Sequence, residues 1–162
     1  MYYRVIENFL EEKDLNLIKD TIGGDVPFPW YNQKRVTDGV NALEDFYFIN
    51  LLFINFRPTS DYYNIVIPII KKLDAKALIR VKANLYTKTK KRHYHSNHKD
   101  FTYPHKAAIF YVNTNDGYTV LDDKIKIKSV ENRLLLFDPQ TTHKSSTCTD
   151  QKFRININFN YF

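Results

Sequence analysis

The sequence predicts an α+β fold: a β-sandwich or barrel with helices packed outside it. Three observations predict it. Helix signals are confined to the first part of the chain, up to about residue 78. From Ile79 onward, short alternating apolar segments follow one another, separated by turn signals. The last of these sets Phe153, Ile155, Ile157, Phe159 and Tyr161 on one face against Arg154, Asn156, Asn158 and Asn160 on the other. A strand with such a polar face needs water or a polar cavity on that side.

The helical part comes first. Leu15, Ile18 and Ile22 recur at helical spacing, so a helix is expected from about Glu11 to Ile22, with Asn8 as its cap and Gly23-Gly24 as its end. Pro27-Phe28-Pro29-Trp30-Tyr31 reads as loop. Pro58 to Leu73 is a second helical candidate, with Pro58 in its first turn and Pro68 kinking or splitting it.

The strands follow. Val81, Ala83 and Leu85 alternate with Lys82, Asn84 and Tyr86. Lys106 to Asn113 is rich in Ile, Phe, Tyr and Val, and Asn113-Thr114-Asn115-Asp116-Gly117 turns the chain into Tyr118 to Leu121. Asp122-Asp123 leads into Ile125 to Lys128. Asn132 to Phe137 reads as a more deeply buried strand.

The chain has 162 residues and reads as a single domain, long enough to bury a sizeable core. Twelve Phe and twelve Tyr exclude a disordered protein. No apolar run approaches the length of a membrane span, and the amino terminus lacks the pattern of a signal peptide. One cysteine, Cys148, excludes an internal disulfide. A soluble, cytoplasmic protein with no membrane partner is the expectation. The net charge of +6 includes the run Lys88-Thr89-Lys90-Lys91-Arg92-His93, which reads first as a solvated loop.

The chemistry centres on His98-Lys99-Asp100. Residues i and i+2 of an extended segment project to one side, so an imidazole and a carboxylate can reach one metal ion. With five His and eighteen Asp and Glu, such a pair arises readily by chance. His143, beyond the buried strand and the turn Asp138-Pro139-Gln140, can complete a facial triad, a set suited to non-haem Fe(II). Arg154, eleven residues further on, lies on the polar face of the last strand and is suited to a two-pronged grip on a carboxylate. A triad followed by an inward Arg implies a dicarboxylate or keto acid between them. His93-Tyr94-His95 suggests a cupin-type pair, but no Glu occurs between His95 and His105 to complete that pattern. His105 and Cys148 read as a loop histidine and an ordinary thiol.

From about Arg80 to Tyr161 the chain resembles the 2-oxoglutarate/Fe(II) oxygenase superfamily, above all its prolyl 4-hydroxylase-like branch in small versions such as those of phages and marine bacteria. The matching segments are Arg80 to Tyr86, His98-Lys99-Asp100, Ala108 to Thr119, Asn132 to Asp138 ahead of His143, and Arg154 to Asn158. The resemblance implies a double-stranded β-helix (jelly-roll) over residues 79–162, with residues 1–78 as mainly helical support. It implies His98, Asp100 and His143 as Fe(II) ligands and Arg154 on the distal carboxylate of 2-oxoglutarate. Tyr86 would hydrogen-bond the same co-substrate, Asn84 would contact it or the ligands, and Thr119 would line the pocket. The implied reaction consumes O2 and 2-oxoglutarate, hydroxylates a C–H bond, and releases succinate and CO2. A peptidyl proline or other amino-acid substrate is favoured, with specificity in Pro27 to Arg35, the segment before Pro58, and the basic loop Lys88 to His95. Trp30, Tyr31 and Tyr94 are candidates to pack on a proline ring. Two other readings stay open: a nucleobase or small-metabolite oxygenase, for which nucleic acid is the less favoured partner, and a non-enzymatic β-sandwich binding module.

Overall fold

The computed structural model describes residues 2–34 and 46–162. In chain order the elements are β1 (Tyr3–Ile6), α1 (Glu12–Gly23), β2 (Tyr31–Gln33), β3 (Tyr47–Ile54), β4 (Arg57–Pro58), a 3-10 turn (Tyr63–Val66) and α2 (Ile67–Lys72). They continue with β5 (Leu78–Thr87), β6 (Lys106–Tyr111), β7 (Tyr118–Leu121), β8 (Ile125–Lys128), β9 (Arg133–Phe137), β10 (His143–Ser145) and β11 (Phe153–Tyr161). One large antiparallel sheet has the order β1-β9-β6-β11-β5-β3-β2, with β4 paired to β3; a small one has the order β10-β7-β8. Among the described residues no helix is long and apolar enough to cross a membrane.

The helical expectations hold in part. The first 78 residues are not mainly helical: among the described residues they hold only α1, α2 and the 3-10 turn beside four strands. Helix α1 forms where the apolar spacing placed it, with Leu15, Ile18 and Ile22 buried. Its cap is Glu11 rather than Asn8, and its acidic first turn of Glu12 and Asp14 suits the positive end of the helix dipole. It ends at Gly23, and Gly24 is required by close approach: a Cβ there would lie 2.2 Å from the carbonyl oxygen of Asp20. Pro58 sits in β4, outside any helix. Pro68 falls in the first turn of α2, where its missing N–H has no helical partner to lose, so it starts the helix instead of kinking it.

The unexpected strand is β3. Its run Tyr-Phe-Ile-Asn-Leu-Leu-Phe-Ile shows no clean alternation because both faces are covered. Leu52 packs outward into the cluster formed by α1, α2 and the back of the large sheet, while Tyr47 and Ile49 pack inward against Tyr86.

The helices cover one face of the large sheet. Leu15, Ile18, Ile22, Val66 and Ile69 pack there against Val81, Ala83, Phe110, Leu134, Ile157 and Phe159. The opposite face meets the small sheet through Ile109, Tyr111, Leu121, Ile127 and Leu135. Strand β11 is therefore apolar towards the helices and polar towards the space between the sheets. Arg154, Asn156, Asn158 and Asn160 are all buried there, as the alternation in the sequence required.

Candidate metal centre

Backbone pairing brings the two histidines together. His98 lies in the connection between β5 and β6, and His143 begins β10. Each backbone N–H donates to the other's carbonyl at 2.9 Å, an isolated antiparallel bridge. Side chains of directly opposed strand residues project to the same face, and the two rings stand 4.5 Å apart. Asp100, two residues after His98, reaches the same point: the ligand atoms of His98, Asp100 and His143 all lie within 4.8 Å of one another.

Their surroundings set their protonation. The Nδ1 atoms of His98 and His143 face the carbonyls of Ser96 at 3.2 Å and Thr141 at 3.4 Å. Carbonyls only accept, so Nδ1 carries the proton in these contacts and Nε2 keeps its lone pair for a metal. Burial pushes the pKa of His98 down and that of His143 down to about 4, against the attraction of Asp100. Burial opposes ionisation of Asp100, but Arg80, His143 and Asn160 outweigh it and hold the carboxyl well below the usual range. At neutral pH the cluster offers two neutral imidazoles and one carboxylate, the protonation states a divalent ion requires.

A pH dependence follows for the metal-free protein. Between the ordinary histidine value of 6.5 and about 4, the unfolded chain takes up a proton at position 143 that the folded protein refuses. Stability is therefore expected to fall as pH drops through that window, and His98 acts in the same direction. Urea midpoints measured across it check this; a midpoint that rises as pH falls contradicts the burial of His143.

Asp100 is held from three sides. Arg80 Nη2 lies 2.7 Å from Oδ1, and the side-chain amides of Asn158 and Asn160 donate to Oδ2 at 3.1 and 3.0 Å. Arg80 also donates to Asn160 Oδ1 at 3.1 Å and covers the Phe101 ring. These contacts fix the carboxylate's orientation before any ion binds.

Arg154 lies deeper and is fully buried. Its Nε donates to Ser129 Oγ at 2.9 Å and its Nη2 to Thr119 Oγ1 at 3.1 Å. The guanidinium covers the rings of Tyr86 and Tyr111, and Tyr111 donates to Thr119 at 2.8 Å. Its Nη1 is buried with no hydrogen-bond partner among the described residues. A buried guanidinium without a carboxylate is costly unless an anion arrives to meet it.

Tyr86, Asn84 and Thr119 line the cavity beside the three ligand residues, with Tyr47, Lys82, Ser145, Asn156 and Asn158. Tyr86 stacks on Tyr47 at 5.5 Å, and Asn84 donates to Asn156 at 2.9 Å. The space between these side chains is about 30 Å³, room for one or two water molecules. A bound dicarboxylate therefore requires some of them to swing aside. A larger groove of about 480 Å³ lies at β2 and β3, lined among others by Pro29, Tyr31, Asn50 and Tyr62, away from the ligand residues.

The structure thus gathers His98, Asp100, His143, Asn84, Tyr86 and Thr119 at one cavity, with Arg154 behind it against Tyr86 and Thr119. It adds Arg80, Lys82, Tyr47 and Ser129. Arg80 and Lys82 share the face of Asn84 and Tyr86 by the period of two, so that signal was present. Tyr47 lies on the unexpected β3, and Ser129 in a connection with no periodicity. The basic run stays outside: Lys88, Lys90 and Lys91 are exposed, while Arg92 pairs with Asp116 at 2.7 Å and covers Tyr118. Tyr94 lies between the ammonium groups of Lys126 and Lys144, and Trp30 packs edge-on against Phe28. Tyr31 is 62 % exposed, and of the segment Pro27 to Arg35, Arg35 lies outside the described residues.

No protein-family model matches the sequence, and no curated protein matches it. Solved structures do match. The viral collagen prolyl hydroxylase of Paramecium bursaria Chlorella virus-1 is 15% identical with TM-score 0.65, over 99% of this chain and 94% of that one. A 2OG-Fe(II) oxygenase family oxidoreductase from Burkholderia pseudomallei is 8% identical with TM-score 0.74, over 98% and 84%. A Trichoplax adhaerens prolyl hydroxylase, solved with a hypoxia-inducible factor peptide, is 13% identical with TM-score 0.70, over 99% and 83%. At these identities the likeness is one of fold: the chain has the fold of 2-oxoglutarate/Fe(II) oxygenases, prolyl hydroxylases among them.

Proposed function

We propose that the chain is an iron(II)- and 2-oxoglutarate-dependent oxygenase that hydroxylates a C–H bond of a peptidyl proline or other amino-acid substrate, its two sheets forming the walls of a double-stranded β-helix. The carrying observation is the buried Arg154, one nitrogen unpartnered, behind a cluster of two neutral imidazoles and a carboxylate. An anion-binding group behind a three-ligand metal set is the donor arrangement that a chelating keto acid with a second carboxylate requires.

His98 and His143 hold the metal through Nε2 and Asp100 through its carboxylate. Bound Fe(II), with 2-oxoglutarate and O2, supplies the oxidation that turns C–H into C–OH, with succinate and CO2 as co-products. Arg154 takes the distal carboxylate, and Tyr86, Thr119 and Asn84 border the co-substrate. Arg80, Asn158 and Asn160 keep the Asp100 carboxylate ionised and aimed. The stacked and buried Tyr47 and Tyr86 rings form part of the cavity wall. The amino-acid substrate class rests on the shared fold with prolyl hydroxylases.

The test is anaerobic loading with Fe(II), addition of 2-oxoglutarate, and then air. A 2-oxoglutarate-dependent visible absorption band followed by succinate release is expected. Failure of both would overturn the oxygenase reading.

Gly117 gives a second check. A Cβ added there would lie 2.5 Å from Arg154 Cδ and 2.9 Å from Asn115 Oδ1. Gly117→Ala is expected to displace the Arg154 side chain and weaken 2-oxoglutarate binding, at a stability cost of about 1–3 kcal/mol from overpacking. Titration of 2-oxoglutarate into the Mn(II)-loaded variant, with its Tm, measures both. Unchanged co-substrate affinity would show that Arg154 is not the group it binds.

A further inference from the structure

Lys82 has no part in holding the metal or the distal carboxylate, yet it lines the same cavity as His98, Asp100 and His143. It projects from the inner face of β5, opposite Asn158 of β11 in the pairing register. Its Nζ donates to the Tyr47 hydroxyl at 3.2 Å and lies 5.4 Å from the centre of that ring. No carboxylate lies within ion-pair distance of it among the described residues. Asp100 is already engaged by Arg80, Asn158 and Asn160. Burial and the neighbouring Arg80 push the Lys82 pKa down to about 8, and the attraction of Asp100 only partly opposes them.

Charge counting extends this. Four cations, Arg80, Lys82, Lys144 and Arg154, stand in and behind the cavity; Lys144 is paired with Asp123, which leaves three against the single carboxylate of Asp100. A divalent ion and a dianionic 2-oxoglutarate cancel each other, so the excess of two positive charges survives cofactor binding. Uncompensated charge in a half-buried cavity favours an anionic occupant.

We propose that Lys82 anchors a carboxylate of the molecule to be oxidised, so that the substrate is a small carboxylic acid of the free amino-acid type rather than an internal residue of a peptide chain. Two donors face that carboxylate. Lys82 supplies one, and the Tyr47 hydroxyl, which accepts from Lys82, keeps its own proton as the other. Burial raises the Tyr47 pKa, so that proton stays in place at neutral pH. One ammonium and one phenol match the two oxygens of a carboxylate.

The proposal rests on the oxygenase reading, and the test separates the two. The full chain, loaded with Fe(II) and 2-oxoglutarate, is challenged with the twenty free L-amino acids and with the same twenty as carboxamides. Succinate release is followed, and the Tm of the Mn(II)- and 2-oxoglutarate-loaded protein is recorded with each compound. Stimulation and a raised Tm are expected from at least one free acid and not from its amide. Lys82→Met should lower that acid's apparent affinity about ten- to a hundredfold, the worth of a charge-assisted hydrogen bond, and Lys82→Arg should restore part of it. Equal effects of acids and amides, no effect of any acid, or a Lys82→Met variant whose whole defect is lost 2-oxoglutarate binding would each overturn the role of Lys82. In those cases a 2-oxoglutarate-dependent absorption band in the native Fe(II) protein keeps the oxygenase reading standing; its absence removes both.

Discussion

His143→Ala is expected to abolish succinate formation and to weaken Mn(II) binding by more than about a hundredfold, because loss of an outer partner alone costs about 10- to 100-fold. The imidazole is buried against Phe137, and its pKa, lowered by that burial, keeps it a neutral donor at physiological pH. No other His, Asp, Glu or Cys among the described residues joins the cluster to replace it. The backbone bridge between positions 98 and 143 uses main-chain atoms only, so the alanine variant keeps that pairing. Calorimetric titration of Mn(II), beside far-UV circular dichroism to confirm the fold, checks the expectation. A folded variant that binds Mn(II) as tightly as the native chain would remove the metal centre from the account.

Arg154→Met is expected to separate function from stability. The Kd for 2-oxoglutarate in the Mn(II)-loaded protein should rise about 30- to 150-fold, corresponding to about 2–3 kcal/mol for a charge-assisted, two-pronged contact. The Tm should stay level or rise. A buried guanidinium with an unpartnered Nη1 carries a desolvation penalty that its bonds to Ser129 and Thr119 only partly offset, and replacing a buried charge by an apolar chain of similar length is often neutral or stabilising. Arg154→Lys, which keeps the charge and loses the fork, should fall between. If Arg154 were purely structural, Arg154→Met would lower the Tm sharply and leave the affinity of the remaining folded protein unchanged.

Much of the site was legible because it is written in periodicities of two. His98 and Asp100 fall on one side of an extended segment, Asn84 and Tyr86 on one face of β5, and Arg154 on the polar face of β11. The same period marks Arg80 and Lys82 as inward-facing, but it does not say what they meet. That was decided by the pairing of β5 with β11, which sets Asn158 opposite Lys82 and Asn160 opposite Arg80 and so builds the cradle around Asp100. Nor does sequence distance, forty-five residues from His98 to His143, reveal the backbone bridge that sets their rings side by side.

The first part of the chain was less legible. Strand β3 lost its alternation because helices cover one face and the site the other, and local pattern reports burial, not which partner causes it. Pro68 carried a true signal, a missing N–H, whose meaning depended on whether the helix began before it or at it.

By itself, then, the sequence determined which side chains face inward, which carry donor atoms, and that a polar cavity must receive the inner face of the last strand, since these follow from local geometry and from the cost of burying unpaired polar groups. Only the tertiary structure decided which of those groups stand within ligand distance, which cations find a counter-charge, and which do not. Contacts between residues far apart in the chain are fixed by strand register and packing, and no local pattern encodes them.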